Sequence, residues 1–428
     1  LIMLPSCVPA TPADVGGAVL GHHELAGFIG REGVVGLGEM MNVPGVLSGD
    51  PEVAAKMSLC DSVDGHAPLL AGKQLNAYIA AGAQSDHECT NLAEAREKLM
   101  RGMYIMIREG STERNLEELI PLATPATASR LCFATDDRHA DMLVSEGHID
   151  DCIRKAVASG CEMEVAIRMA TLSAAERFGL RDRGAVAPGR IADFCVLKPG
   201  REFVVDRTFR AGVEIGSETY RRPACRSRPF RCRPPAPGDC AIPGGITARV
   251  IRIVEHQILT EAPDIFIPPG SIPDVTRDIL PAVVCDRYHA SGFGAGLVSG
   301  LGLTSGAIAS SVSHDAHNIV GAGADPADLV KAIEEVIRHG GGMAAVRGDD
   351  VVVLPLPCAG LMSDLPYEEV AGRLGELERM TRAMGGIAHP FMYLSFLALT
   401  VIPHRRLTER GVFDADRFCD VPLFFNGD

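Results

Sequence analysis

Four side chains able to bind a divalent cation stand at the ends of short apolar runs. Glu39 follows VVGLG, His66 follows SLCDSVDG, His87 follows AYIAAGAQSD and Asp136 follows LCFAT. They are separated by 27, 21 and 49 residues. A (βα)8 barrel spends about 30 residues on each strand–helix unit. The first two intervals then read as one unit each and the third as about two. In such a barrel every strand points its C-terminal end at one central site. Two imidazoles and two carboxylates make an N/O donor set that suits Zn, Mn or Fe. Taken singly, each residue also fits an ordinary role. Glu39 fits a solvated loop acid, His66 a turn before a helix, and His87 a loop histidine. Asp136 and its neighbour Asp137 fit caps of the next helix.

The elements that must position these groups read as alternating strands and helices up to about residue 180. LIMLPSCV, VVGLGEM, KMSLCDSVDG, AYIAAGAQSD, MYIMIREGS and RLCFATDD are the strand-like runs, and NLAEAREKLMRG is a helical segment between two of them. This alternation predicts parallel βα units. GCEMEVAIRMATLSAAERFGL (160–180) predicts further helix ending near Gly179. GAVAPGRIADFCVLK then turns into a strand and opens a small β segment. Residues 218–245 are dominated by Arg, Pro and Cys without periodicity and read as a linker or disordered insert. Regular patterning resumes at 246, with a helix from about 366. The expected division is 1–183, 184–217, 218–245 and 246–428.

Composition bounds the partners. The net charge of −14 argues against nucleic acid and anionic membranes. Thirteen scattered cysteines, an odd number without a C-x-x-C pair, point to reduced thiols in a cytoplasm. GFGAGLVSGLGLTSGAIASS (292–311) is uncharged but too rich in Gly and Ser for a membrane span, and reads as a buried strand–loop–helix. SVSHDAHN (311–318) carries His314, Asp315 and His317 close together, and the glycines before it favour a role facing a pocket over a capped helix start.

LPSCVPAT, GLGEMMN, DGHAP, SDHE, IREGS, FATDDR and SVSHDAHN, in this order, resemble adenine deaminases of the amidohydrolase superfamily, over residues 2 to about 215 and again from about 246 to 428. GAVAPGRIAD also resembles the superfamily's passage from barrel to β domain. The resemblance implies an α/β (βα)8 TIM-type barrel, a small β domain and an α+β C-terminal domain. It implies a homo-oligomer that hydrolyses adenine to hypoxanthine and ammonia at a binuclear centre, with manganese the expected metal and iron or zinc the alternatives. By similarity, Glu39 bridges the metals, His66 and His87 bind the second, and Asp136 touches metal and water and carries the proton. Arg108, Glu109 and Ser111 are candidates for contact with the purine, and so are Asp137, Arg138 and His139. A local salt bridge and a cap explain the first three equally well.

The superfamily's opening His-x-His has no counterpart here; the adjacent pair His22 and His23 lies in a helical segment. Counting the strand of Glu39 as the fourth, the chain is expected to hold barrel strands 3–8 and to lack the family's N-terminal part. That expectation leaves two alternatives open: another cyclic amide or amidine hydrolase of the superfamily, and a catalytically inactive remnant. A different zinc deaminase pattern, H-x-E with P-C-x-x-C, is excluded because PCAG (357–360) lacks the second cysteine.

Overall fold

The structure is a computed structural model that describes residues 1–200, 202–216, 230–240 and 246–425. The remainder of the expected insert, 218–229 and 241–245, lies outside the described residues. The chain divides into two compact units. The first comprises 1–7, 20–138 and 145–221; the second comprises 8–19, 139–144 and 222–428.

Six short strands run through the first unit: β1 (Ile2–Leu4), β2 (Val34–Met40), β3 (Val63–Gly65), β4 (Ser85–Asp86), β5 (Tyr104–Arg108) and β6 (Leu131–Ala134). All pairings are parallel, as the βα rhythm predicts, but they form two separate three-stranded sheets, β1-β2-β3 and β4-β5-β6. Among the described residues no sheet closes, so the TIM-type barrel, expected here as its strands 3–8, is absent. The ladder breaks between β3 and β4 because neither strand is long enough to sustain it; β4 has two residues. The junction carries the main-chain bond Gln84 N to Val63 O, 3.0 Å. Arg177, from the helix Leu172–Arg177, fills in with hydrogen bonds to Val63 O, Ser62 Oγ and Gln84 Oε1, and with an ion pair to Asp64.

AYIAA is helix, not strand. Gly72–Ala80 buries Leu75 and Tyr78, three residues apart on one face, against Leu37, Met40 and Val63. A short apolar run fits either period, and here the helical one prevails. The helix Leu92–Met100 starts where Asn91 Oδ1 accepts the Glu94 N–H at 3.0 Å. The predicted helix at 160–180 is two, Met163–Ala170 and Leu172–Arg177, interrupted at Thr171. A small antiparallel sheet follows: β7 (Phe194–Leu197), β8 (Val205–Arg210) and β9 (Val213–Glu214).

The second unit is built on a ten-stranded mixed sheet. The helix Pro326–Arg338 buries Leu329, Ile333 and Val336 with Val283, Ala309 and Ile319 of the sheet. The helix Tyr367–Ala383 contributes Leu374, Leu377 and Met380 to a second cluster containing Val284, Ile308 and Leu354. Residues 292–311 form the strands Phe293–Ser299 and Ala307–Ser310, both in this sheet, rather than a strand and a helix. Among the described residues no helix is long and apolar enough to cross a membrane. Cys240, at the end of the 218–245 stretch, is fully buried against this core. Among the described residues eleven cysteines are free thiols, and Cys358, against the all-thiol expectation, is disulfide-bonded.

Candidate metal centre

In the first unit the chemistry-bearing residues stand at or just beyond strand ends. Glu39 is next to last in β2, His66 follows β3, His87 and Glu88 follow β4, Arg108 ends β5, and Asp136 comes two residues after β6. Gly65 permits the approach of β3 to β4: a Cβ there would lie 2.3 Å from Ser85 O. The rings of His66 and His87 consequently meet edge to face with centroids 5.3 Å apart. Tyr78 ties β2 to β3, its hydroxyl donating to Met40 O at 2.6 Å and accepting His66 N–H at 3.1 Å.

Glu39 Oε2 lies 3.1 Å from His66 Nδ1 and 3.0 Å from His87 Nε2. The ligand atoms of Glu39, His66 and His87 all fall within 4.8 Å of one another. Glu88, 1% exposed, brings Oε1 to 3.6 Å from His66 Nδ1 and 3.4 Å from His87 Nε2. Asp136 Oδ2 is 3.7 Å from His87 Nε2 and accepts from Arg108 Nη1 at 2.6 Å. Arg108 also grips both oxygens of Glu88, with Nη2 to Oε2 at 3.0 Å.

The electrostatics are those of a crowded acid–imidazole cluster. Burial pushes the Glu39 carboxyl up, but the hydrogen bonds and positive charges of His66 and His87 outweigh it and hold the group well below the usual range. Burial opposes charge on His87, yet Glu39, Glu88 and Asp136 together raise its pKa to about 10. His66 is raised in the same way, with burial overcome by the charge of Glu88 and by Glu39. Imidazolium protons therefore balance the carboxylates of the metal-free chain, the charge compensation that a divalent cation supplies when it displaces them.

Among the described residues three groups of side chains could chelate a cation: Glu39/His66/His87, His87/Glu88/Asp136 and Asp86/Cys89/Glu94. In the third, the Lys98 ammonium already sits 2.6 Å from both Asp86 Oδ2 and Glu94 Oε1. The second shares both of its carboxylates with Arg108. Among the described residues no lysine or arginine pairs with Glu39, and His66 Nε2 is buried without a hydrogen-bond partner. An acid, two imidazoles and an unsatisfied ring nitrogen fit a divalent metal.

The other predicted residues are placed differently. Arg108 is committed to Glu88 and Asp136. Glu109 is buried and paired with Lys155 at 2.9 Å. The Ser111 N–H donates to Asp137 O at 2.9 Å. Arg138 is bound to Glu146 and Asp151. His139 belongs to the second unit, where its ring meets that of His389 edge to face with centroids 6.4 Å apart. His314, Asp315 and His317 lie in the same unit, on the turn between the strands Ala307–Ser310 and Ile319–Gly323. There His314 stacks on Phe396, centroids 4.9 Å apart, and meets His317 edge to face at 5.8 Å. Sequence reasoning missed Glu88, Tyr78 and Lys98. Glu88 adjoins His87 and could have been suspected on that ground. Lys98 looks like the solvent-facing half of an i, i+4 pair with Glu94.

The amidohydrolase family profile matches residues 2–215, and that of the adenine deaminase C-terminal domain matches 259–419. An adenine deaminase of Methanoculleus marisnigri is 65% identical over 424 residues, covering 99% of this chain and 82% of that one. An adenine deaminase of Methanoregula boonei is 57% identical over 427 residues, covering 99% and 76%. A solved N-acetyl-D-glucosamine-6-phosphate deacetylase of Mycobacterium smegmatis aligns at 19% identity and a TM-score of 0.36 over 46% of this chain and 60% of that one, too loose a match to carry an argument. The site and the first profile define a metal-dependent amidohydrolase. Within that class, the chain belongs to the adenine deaminase family.

Proposed function

We propose that this chain hydrolyses adenine to hypoxanthine and ammonia at the Glu39–His66–His87 centre. The observation that carries the reading is the convergence of these three ligands within 4.8 Å in a member of this family. Glu39, His66 and His87, with Asp136 as a fourth ligand, would hold a divalent metal, which would supply a water of pKa lowered to about 7. Asp136 accepts the proton of the attacking water and hands it to the departing amine. A C6–O bond forms and the C6–N6 bond breaks, so that ammonia leaves and the ring becomes hypoxanthine. Arg108 holds Asp136 in place through Oδ2 and neutralises the buried Glu88 carboxylate beside the centre. Manganese is the metal we propose, in a homo-oligomer of the cytoplasm. The family supports that setting. We also assign 1–183 to catalysis, 184–217 to a β segment, 218–245 to a connection and 246–428 to a C-terminal domain, in line with the two profile matches.

The test is hypoxanthine and ammonia release from adenine by the manganese-loaded chain, against a panel of other purines and cyclic amides. Asp136→Asn is expected to bind metal but lower kcat by about 10²–10⁴. No turnover of adenine by a folded, metal-loaded chain would overturn the reading.

A further inference from the structure

Lys98 is fully buried, and two of its three hydrogen bonds end next to the candidate ligands. Nζ donates at 2.6 Å to Ala67 O, the carbonyl directly after His66. It donates at 2.6 Å to Asp86 Oδ2, the side chain directly before His87. Its third bond, also 2.6 Å, goes to Glu94 Oε1 on its own helix. The two acids extend the hold. Asp86 Oδ1 accepts Ala67 N–H at 2.9 Å and Glu88 N–H at 3.4 Å. Glu94 accepts Leu69 N–H at 2.7 Å and Thr90 N–H at 3.3 Å. The loop carrying His66 and the loop carrying His87 are thus fastened to one ammonium on the helix Leu92–Met100.

This arrangement occurs at the break in the sheet. Strands β3 and β4 share no continuous ladder, only the main-chain bond Gln84 N to Val63 O, so the relative height of the two histidines also depends on contacts beyond the strands. A buried lysine between two carboxylates costs several kcal/mol of desolvation per ion and is weak evidence for stability. What it supplies is a fixed geometry.

We infer that Lys98 is a positioning residue for the metal centre, acting through Ala67 and Asp86 to set the separation of His66 and His87. The inference rests on the proposed metal reading, and its test keeps the two apart. Mn²⁺ affinity is measured by chelator competition at 10 °C on the wild type and on Lys98→Met, with near-UV circular dichroism to establish folding. Groups that orient metal ligands are worth about 10–100-fold in affinity. Folded Lys98→Met is expected to bind Mn²⁺ weaker by that factor. A purely structural lysine would lower Tm and leave the dissociation constant within about twofold, which overturns the inference. If Lys98→Met does not fold, the charge-neutral Asp86→Asn/Glu94→Gln/Lys98→Met chain replaces it under the same criteria. A wild type that binds no Mn²⁺ overturns the metal reading itself, and the inference with it.

Discussion

Metal affinity should climb steeply with pH. In the metal-free chain His87 holds its proton up to a pKa of about 10, because the carboxylates of Glu39, Glu88 and Asp136 surround Nε2 and outweigh its burial. A metal ligand must be neutral imidazole, so binding displaces that proton. At pH 7 the proton is favoured by about three units, which weakens metal binding by about 10³, or about 4 kcal/mol. Each pH unit gained below 10 returns about tenfold. Between pH 7 and 9 the Mn²⁺ dissociation constant is expected to fall by about 100-fold from His87 alone, and His66, also raised, steepens the slope where it titrates. The assay is calorimetric titration against a chelator of known pH dependence, in paired buffers of different ionisation enthalpy, so that released protons are counted directly. His87→Gln should bind weakly and reduce the slope by about one proton. An affinity that changes less than about threefold over this range, with no proton released, would refute the charge-compensation argument.

The same protonation predicts an opposite trend for the metal-free fold. The raised His87 pKa stabilises fully below its unfolded value of about 6.5, and that contribution is lost as pH rises toward 10, by up to about 1.4 kcal/mol per unit. Tm of the chelator-treated chain should fall between pH 7 and 9 while that of the manganese-loaded chain does not. Glu113, 2% exposed, is pushed by burial to about 7 despite the charge of Arg108 and a hydrogen bond from Thr112. Its raised pKa costs stability as pH climbs from about 4.5 to 7, so Glu113→Gln should gain about 3 kcal/mol over the wild type at pH 8 and little at pH 4, read by urea unfolding. Tyr78→Phe removes the donor to Met40 O and leaves the His66 N–H buried without its acceptor, a loss of about 1–3 kcal/mol in the same assay.

Much of the centre was legible in the sequence because its rhythm follows the chain. Five of the six strand-like runs end in or just before Glu39, His66, His87, Arg108 and Asp136, and parallel βα units deliver such ends to one side of their sheets. The runs themselves were less legible. AYIAA satisfies strand and helix periods alike, and burial of Leu75 and Tyr78 on one face decided for helix. Spacing placed the six runs as strands 3–8 of one barrel sheet, yet spacing says nothing about whether neighbouring strands are long enough to share a ladder, and β3 and β4 are not.

Residue identity and interval determined the candidate donor set: an acid, two imidazoles and a second acid at strand-end spacing. Which partners those donors have was decided only in three dimensions. Arg108 read equally well as a purine contact or half of a salt bridge; folding places it between Glu88 and Asp136. Lys98 drew no reading from the sequence; folding buries it against the two histidine loops. The reason is physical. A charged side chain has the same chemistry at any point in a sequence, but its energy depends on the dielectric around it and the charges within a few ångströms, and those are set by segments that come together only when the chain folds.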